Sequence, residues 1–195
     1  MKRSTFILAL FLILILLLVP CSGIRHPLPE RHTVGGKPLP PGLARYDRLI
    51  REAAGKIDWD WRLVAAVVHQ ESRFNSQARA EDGAGIGLMQ INSARYSEDT
   101  LLNPAVNLSI GTAYLKRLEH MFPAAGALDT LKFSLAAYNM GDGKVKRLVA
   151  RAGEAGVDTT RWDEVATLLP KGHRTVRYVD EVLDTYRHYA QVLPR

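Results

Sequence analysis

The sequence predicts a mainly α-helical protein with a single folded domain and one short irregular or β-hairpin segment. Beyond residue 42, apolar residues recur at spacings of three and four, the period of an amphipathic helix. No segment shows the sustained alternation that marks a strand. The stretch from Ser76 to Ile91 lacks a helical period, so any small hairpin is expected there. The 195 residues, 47% of them hydrophobic, suffice for one packed domain.

The first 21 residues are predicted to be a secretory signal peptide. Lys2 and Arg3 precede an unbroken apolar run over residues 6–19. This run is shorter than the roughly 20 residues that a membrane-spanning helix needs, and it matches the hydrophobic core of a signal. We therefore expect export from the cytoplasm.

Cys21, the only cysteine, follows this run, which excludes disulfide scaffolds and cysteine-rich metal sites. Residues 18–21 resemble a bacterial lipobox, whose cysteine is lipidated, although Pro20 stands where that pattern has Gly, Ala or Ser. The resemblance implies a lipoprotein attached to the membrane through its N-terminus. The alternatives are a signal peptide cleaved slightly later and an uncleaved anchor, with Cys21 incidental.

Residues 22–42 are predicted to be a tether, and residues 43–195 the folded domain. Five prolines and a glycine pair lie among the polar residues of the tether, a composition that cannot build a packed element. The formal net charge is +6, and removal of Lys2 and Arg3 with the signal peptide leaves 24 basic and 20 acidic residues, a mild +4. This charge would favour approach to an anionic envelope polymer or membrane surface. The chain has no long basic run, so we expect no nucleic-acid partner.

Capping residues and glycines divide the domain into helices. Asp60 can cap a helix that begins at Trp61, and Pro104 fits the first turn of another. Gly141 and Gly153 are expected to end later helices. The predicted helices cover residues 43–55, 61–73, 104–121, 129–140, 144–152, a short turn within 160–170 and a last helix within 176–193.

Further details are predicted inside these helices. Residues 63–68 are apolar nearly all round, so their helix is expected to be buried. Asp129 is expected to open the fourth helix, and Thr160 with Asp163 resembles a capping box. The last helix is expected to bury one stripe, formed by Val176, Val179, Leu183, Tyr186, Ala190 and Leu193.

Two spaced blocks carry the strongest functional signal. Residues 71–75, ESRFN, place the Glu71 carboxylate at the end of an apolar helix, and residues 87–91, GLMQI, supply a glycine-bearing loop with an amide. Glycine lets the backbone approach a ligand closely, and an amide both donates and accepts hydrogen bonds. Such a pair can hold and protonate a sugar polymer. Taken alone, Glu71 would be an exposed helix-end glutamate and Met89 a core residue.

These blocks and three others, in this order, resemble the soluble lytic transglycosylase (SLT) domain, a goose-lysozyme-like fold that cleaves bacterial cell-wall peptidoglycan. The blocks are ESRFN, GIGLMQI, NPAVNLSIGTAYL, LAAYNMGDGKV and HRTVRYV. The resemblance covers roughly residues 43–193, and the segment before ESRFN particularly resembles the membrane-bound lytic transglycosylase F type. It implies a monomeric protein of the periplasm or cell envelope that acts on peptidoglycan glycan strands without a cofactor.

The resemblance also implies that Glu71 is a single catalytic acid/base. Glu71 would protonate the oxygen between N-acetylmuramic acid and N-acetylglucosamine, then remove the proton of the muramoyl 6-hydroxyl, so that a 1,6-anhydro product forms. This role needs a raised pKa, which burial against apolar groups provides. The implied substrate-binding residues are Ser72, Met89, Gln90, Tyr138, Asn139 and Tyr178.

Two positions depart from the family pattern. Glu81 stands where many members have a serine, and Arg174 stands where a glutamate is usual. If Glu81 faces Glu71, repulsion raises the pKa of one of the two; if it points to solvent, nothing follows. The alternatives to a transglycosylase are a lysozyme-type hydrolase on the same fold and a catalytically silent glycan-binding module.

No metal site is predicted. His69 and Glu71 have the HxE spacing of zinc deaminases, but no PCxxC motif follows. The six histidines show no paired spacing. We therefore interpret His69 as a surface or partly buried helix residue.

Overall fold

The computed structural model describes residues 33–34, 37–122, 124 and 126–193, with side chains from Leu39 onward. The predicted signal peptide of residues 1–21, with Cys21, lies outside the described residues, as does most of the tether. From residue 41 the chain is chiefly helical, which confirms the predicted mainly α-helical class.

Helices dominate the described part of the chain, with two short antiparallel strand pairs. The helices are α1 (Pro41–Gly55), α2 (Trp61–Ser72), α3 (Glu98–Leu102), α4 (Pro104–Met121), α5 (Ala127–Met140), α6 (Asp142–Glu154), α7 (Trp162–Val165) and α8 (Arg174–Val192). The strands are β1 (Thr33–Val34) with β2 (Lys37–Pro38), and β3 (Gly85–Ile86) with β4 (Ile91–Asn92). Of the helices described, none is both long enough and apolar enough to span a bilayer.

Helix α2 is buried nearly all round, as its apolar sequence predicts. Asp60 caps it, because its carboxylate accepts a hydrogen bond of 3.0 Å from the backbone N–H of Arg62. Residues 61–68 are all buried, and α2 packs against α1 and α8. The Arg62 guanidinium also donates to the carbonyl of Leu193 at 3.0 Å. The start of α2 is therefore bound to the end of α8.

Helix α4 buries a face that combines leucines with small and polar residues. Asn103 caps it by accepting from the backbone N–H of Ala105 at 3.0 Å, and Pro104 occupies the first turn, as predicted. The fully buried face includes Asn107 and Gly111. Because Gly111 has no side chain, a neighbouring loop can pack closely against this helix.

Asp129 does not open α5, which begins two residues earlier at Ala127. Its carboxylate instead accepts a hydrogen bond of 2.9 Å from the backbone N–H of Trp162, at the start of α7. The prediction was wrong because it allowed only for a local cap, whereas this carboxylate serves a helix more than thirty residues away. Gly141, with φ of 91°, follows the last residue of α5 as predicted.

The predicted capping box before α7 is also wrong. The hydroxyl of Thr160 donates to Asp158 at 2.6 Å, and Asp163 forms an ion pair with Lys132 at 2.7 Å. Both side chains are therefore engaged away from the helix start. The preceding helix α6 is longer than predicted, and Gly153 lies inside it.

Helix α8 packs against both α2 and α5, so its buried face is broader than one stripe. Val179, Leu183 and Leu193 are buried as predicted, but Ala190 is exposed and Tyr189 is buried beside it. The predicted hairpin is present at β3 and β4, which pair Gly85 with Asn92 and Ile86 with Ile91. The ends of α2 and α5, the start of α8 and this hairpin carry the candidate site residues.

Candidate active site

Glu71 lies in the last turn of α2, where the helix ends sharply. Arg73 and Phe74 follow with φ of 50° and 64°, a left-handed conformation that is costly for non-glycine residues. Phe74 stacks on His69, with ring centroids 5.6 Å apart. Phe74 also packs closely against Gly42, because a Cβ added to Gly42 would lie only 2.9 Å from the Cβ of Phe74. This packing holds the strained turn and leaves Glu71 half-buried at the helix end.

Tyr178 contacts the Glu71 carboxyl directly. From the first turns of α8, its hydroxyl donates a hydrogen bond of 2.5 Å to Glu71 Oε1. Burial raises the pKa of Glu71 from 4.5 to about 7, and the Tyr178 hydrogen bond opposes that rise by stabilising the carboxylate. Burial and then the charge of Glu71 hold the pKa of Tyr178 well above its ordinary value. Tyr178 therefore remains a donor while Glu71 gains and loses a proton near neutral pH.

The two positions that depart from the family pattern lie at the surface. Glu81 and Arg174 are both exposed. The influences on the pKa of Glu71 are burial and the Tyr178 hydrogen bond, with no contribution from Glu81. Glu71 is therefore the carboxyl of this site whose pKa is raised to near neutral pH.

Tyr138, at the end of α5, joins the loop to the helices. Its hydroxyl donates to the carbonyl of Met89 at 2.7 Å, and its ring packs on that of Tyr114, with centroids 5.4 Å apart. Burial, followed by the charge of Glu71, raises the pKa of Tyr138 well above its ordinary value. The Tyr138 hydroxyl is therefore within electrostatic reach of Glu71.

Met89 contributes its backbone rather than its side chain to this arrangement. Its side chain is fully buried, and a Cβ on Gly111 would lie 2.4 Å from its sulfur. The structure thus places the Met89 side chain in the core, not at an accessible surface. Its carbonyl accepts from Tyr138, and its N–H donates to Asn107 Oδ1 at 2.8 Å.

Asn107 is a residue that the sequence analysis missed. It is completely buried, and its amide nitrogen donates to the carbonyls of Ile86 and Leu101, each at 2.8 Å. Together with the bond from Met89, these contacts satisfy the side chain and fix the loop between β3 and β4. The sequence did contain a signal for this role: Asn107 lies four residues before Gly111, so both residues are on the same face of the helix.

The other three predicted contact residues lie at the ends of these elements. Gln90 has φ of 49° and folds its amide back onto the carbonyl of Gly87 at 3.0 Å. Ser72 donates to the carbonyl of Val68 at 3.2 Å, inside its own helix. Asn139 accepts a hydrogen bond of 2.9 Å from the hydroxyl of Thr175. All three are half-buried, so each combines a structural contact with some accessible surface.

The arrangement can perform acid/base chemistry with one carboxyl. A group with a pKa of about 7 exists in both protonation states near neutral pH, so it can donate a proton and then accept one. Within the described residues, no three His, Cys, Asp or Glu side chains lie close enough to hold a metal ion. His69, two residues before Glu71, instead contacts the hydroxyl of Tyr189 at 3.3 Å.

Comparison with known proteins gives the same family. The profile of the Transglycosylase SLT domain matches residues 48–160. Proteins named membrane-bound lytic murein transglycosylase F, from Desulfosudis oleivorans and Maricaulis maris, are each 32% identical over 164 and 159 residues. These alignments cover 74% and 72% of this chain but only 36% and 35% of the relatives. The chain thus spans about a third of the length of these curated relatives.

Solved structures share the fold. The 70 kDa soluble lytic transglycosylase from Escherichia coli superposes with a TM-score of 0.60 and 26% identity, over 77% of this chain and 25% of that one. An inactive mutant of a lytic transglycosylase from Pseudomonas aeruginosa gives a TM-score of 0.59 and 26% identity, over 75% of this chain and 24% of that one. The matching domain profile, the curated relatives and the shared fold together show that this chain belongs to the SLT transglycosylase domain family.

Proposed function

We propose that this chain is a peptidoglycan lytic transglycosylase that cleaves the β-1,4 bond between N-acetylmuramic acid and N-acetylglucosamine and leaves a 1,6-anhydro ring. The observation that carries the proposal is the Glu71 carboxyl, with a pKa of about 7 and a hydrogen bond from Tyr178. The relatives' names and the solved transglycosylases support the same reaction.

The reaction needs only this one carboxyl. Protonated Glu71 gives its proton to the bridging oxygen, and the N-acetylglucosamine unit leaves as the bond to the muramoyl C1 breaks. The muramoyl acetamido oxygen stabilises the positive charge at C1. The Glu71 carboxylate then takes the proton of the 6-hydroxyl as its oxygen bonds to C1, which restores protonated Glu71 and consumes no water. Ordinary glycosidases use two carboxylates instead.

Each neighbouring residue has a proposed part in this cycle. The Tyr178 hydroxyl stabilises Glu71 while it is ionised, between the two proton transfers. Tyr138 holds the loop of residues 87–91 through the Met89 carbonyl. Ser72, Gln90 and Asn139, which keep accessible surface, are the proposed glycan contacts.

The test compares Glu71→Gln with the wild type on purified peptidoglycan strands. Wild type should release fragments that are lighter by one water than hydrolysis products, and Glu71→Gln should release almost none. Glu154→Gln, an exposed glutamate at the end of α6, is the matched control and should behave as wild type. Release of only reducing-end products would reject the transglycosylase in favour of a hydrolase, and an active Glu71→Gln would reject Glu71 as acid/base.

We also propose that the protein works in the cell envelope, exported by residues 1–21 and attached through lipid on Cys21. The relatives are named membrane-bound, which supports an envelope location. Fractionation of cells fed a labelled fatty acid tests the attachment. Wild type should be labelled and sediment with membranes, whereas Cys21→Ser should be unlabelled. Equal labelling of the two proteins would contradict lipidation at Cys21.

A further inference from the structure

Two hydroxyl side chains on the first turns of α8 bind separate elements of the site. Tyr178 donates to the Glu71 carboxyl on α2. Thr175, three residues earlier and so on the same face of α8, donates its hydroxyl to Asn139 Oδ1 on α5 at 2.9 Å. Thr175 is completely buried, and its backbone N–H donates to His173 Nδ1 at 3.2 Å. The Thr175 hydroxyl is therefore held in place where α8 meets the end of α5.

The Thr175 hydroxyl determines which way the Asn139 amide faces. The oxygen and the nitrogen of an asparagine amide are similar in size, and the last torsion of the side chain is roughly two-fold, so packing alone does not orient the group. A buried hydroxyl needs an acceptor for its proton. Among the described residues, Asn139 Oδ1 is the one hydrogen-bond partner of this hydroxyl. A reversed amide would leave the hydroxyl proton without an acceptor, so Oδ1 faces Thr175.

This orientation leaves the amide nitrogen of Asn139 available at the surface. Asn139 is half-buried, and its Nδ2 has no hydrogen-bond partner among the described residues. In the same part of the chain, the one fully buried side-chain polar atom without a partner is the indole nitrogen of Trp61. The Asn139 nitrogen is therefore accessible to solvent. At this position the site offers a ligand an N–H donor, while the amide oxygen is already engaged.

We propose that Thr175 is a positioning residue, which turns the Asn139 amide so that its N–H group donates to an oxygen of the bound glycan. This inference rests on the proposed function, since it takes Asn139 to contact a peptidoglycan strand. Such a strand carries acetamido carbonyl oxygens, which accept hydrogen bonds and cannot donate them. An amide that is already oriented binds this carbonyl at a lower entropic cost. Thr175 is completely buried, so it acts through Asn139 and not by touching the sugar.

Two substitutions of Thr175 separate its hydroxyl from its shape. Thr175→Val keeps the branched side chain and removes the hydroxyl, whereas Thr175→Ser keeps the hydroxyl. Loss of one neutral hydrogen bond weakens binding by about fivefold. An amide that is free to take two orientations equally is competent half of the time, which weakens binding by about twofold. We therefore expect Thr175→Val to bind the glycan about twofold to fivefold more weakly, and Thr175→Ser to bind it normally.

A binding experiment tests this without depending on turnover. The Glu71→Gln protein, as the parent, is titrated by calorimetry with a peptide-free peptidoglycan fragment of defined length, and further variants are made in that parent. Asn139→Ala should weaken binding about fivefold. Adding Thr175→Val to Asn139→Ala should weaken it no further, because the hydroxyl acts through the amide. Thr112→Val removes another buried hydroxyl, whose 2.8 Å bond to the Leu108 carbonyl stays within its own helix. This control should bind as the parent does.

Asn139→Asp tests the direction of the hydrogen bond to the glycan. An aspartate at this position can still accept from the Thr175 hydroxyl, but at neutral pH it has no proton to donate. It should therefore bind the fragment as weakly as Asn139→Ala or more weakly. Binding equal to that of the parent would show that the glycan donates to this side chain, and would overturn the proposed orientation.

The other outcomes separate this inference from the proposed function. Parent-like binding by Thr175→Val would overturn the positioning role, as would equal weakening by Thr175→Val and Thr175→Ser, which would indicate packing alone. A loss that persists in the Asn139→Ala background would overturn it as well. In each case the proposed function stands if wild type releases anhydro fragments in the cleavage assay. Failure of the Glu71→Gln parent to bind the fragment would overturn the inference, and the cleavage assay then decides the proposed function by itself.

Discussion

Tyr178→Phe changes the chemistry of Glu71 while it preserves the packing of the ring. The substitution removes the 2.5 Å hydrogen bond to Glu71 Oε1. In the wild type this bond opposes the effect of burial, and the resulting pKa of Glu71 is about 7. Hydrogen bonds to charged groups contribute about 1.5 to 3 kcal/mol, and about 1.4 kcal/mol corresponds to one pH unit. We therefore expect the pKa of Glu71 to rise by about one pH unit or more.

The pH dependence of kcat/KM measures this change. In the proposed mechanism Glu71 must be protonated in the free enzyme to begin the reaction, so kcat/KM should fall as the pH rises through the pKa of Glu71. In Tyr178→Phe this alkaline limb should move up by about one unit, and kcat should fall because the ionised Glu71 is less stabilised. Tyr189→Phe, a buried tyrosine of the same helix that contacts His69, is the control. An alkaline limb that stays in place or moves down would refute this account of Glu71.

Three further substitutions test other parts of the site. The folded state binds the proton of Glu71 more tightly than the unfolded state, so wild type should lose about 3 kcal/mol of stability as the pH rises from 4.5 to about 7. Urea unfolding should show no such loss in Glu71→Gln. If the free energy of unfolding depended on pH in the same way in wild type and in Glu71→Gln, the burial of this carboxyl would be contradicted. Asn107→Ala should lower the free energy of unfolding by about 3 kcal/mol in the same assay and should also lower kcat, because three buried backbone groups lose their partner. A decrease of less than about 1 kcal/mol would contradict the role of Asn107 in fixing the loop between β3 and β4. Glu81→Gln should leave kcat/KM and its pH profile unchanged, and a shifted profile would show that Glu81 acts on Glu71.

The helices and the position of the Glu71 carboxyl could be predicted from the sequence because their signals are local. Asp60, Pro104 and Gly141 mark helix ends through their own backbone preferences, and α2 is apolar on every face. The predicted bounds of α2 place Glu71 at the end of that helix. A carboxyl there is buried by whatever packs on the helix, so a raised pKa could be expected before its neighbours were known.

The contacts that join separate elements could not be predicted in the same way. Asp129 caps α7 rather than its own helix, because tertiary folding brings the start of α7 to its carboxylate. The Met89 side chain, in the loop between β3 and β4, faces the core because Gly111 on α4 leaves room for it. Asn107 fixes the loop from the opposite side. Each of these depends on which helix lies beside which loop, and residue spacing within one segment does not encode that.

The fate of a water oxygen tests the central claim most directly. Wild-type protein is incubated with purified peptidoglycan strands in heavy-oxygen water, and the new fragment ends are weighed by mass spectrometry. Intramolecular attack by the 6-hydroxyl uses no water, so the account predicts anhydro ends without the heavy isotope. Reducing ends that each carry one heavy oxygen would show that water attacks the sugar, and would contradict the proposal that Glu71 directs a transglycosylase reaction.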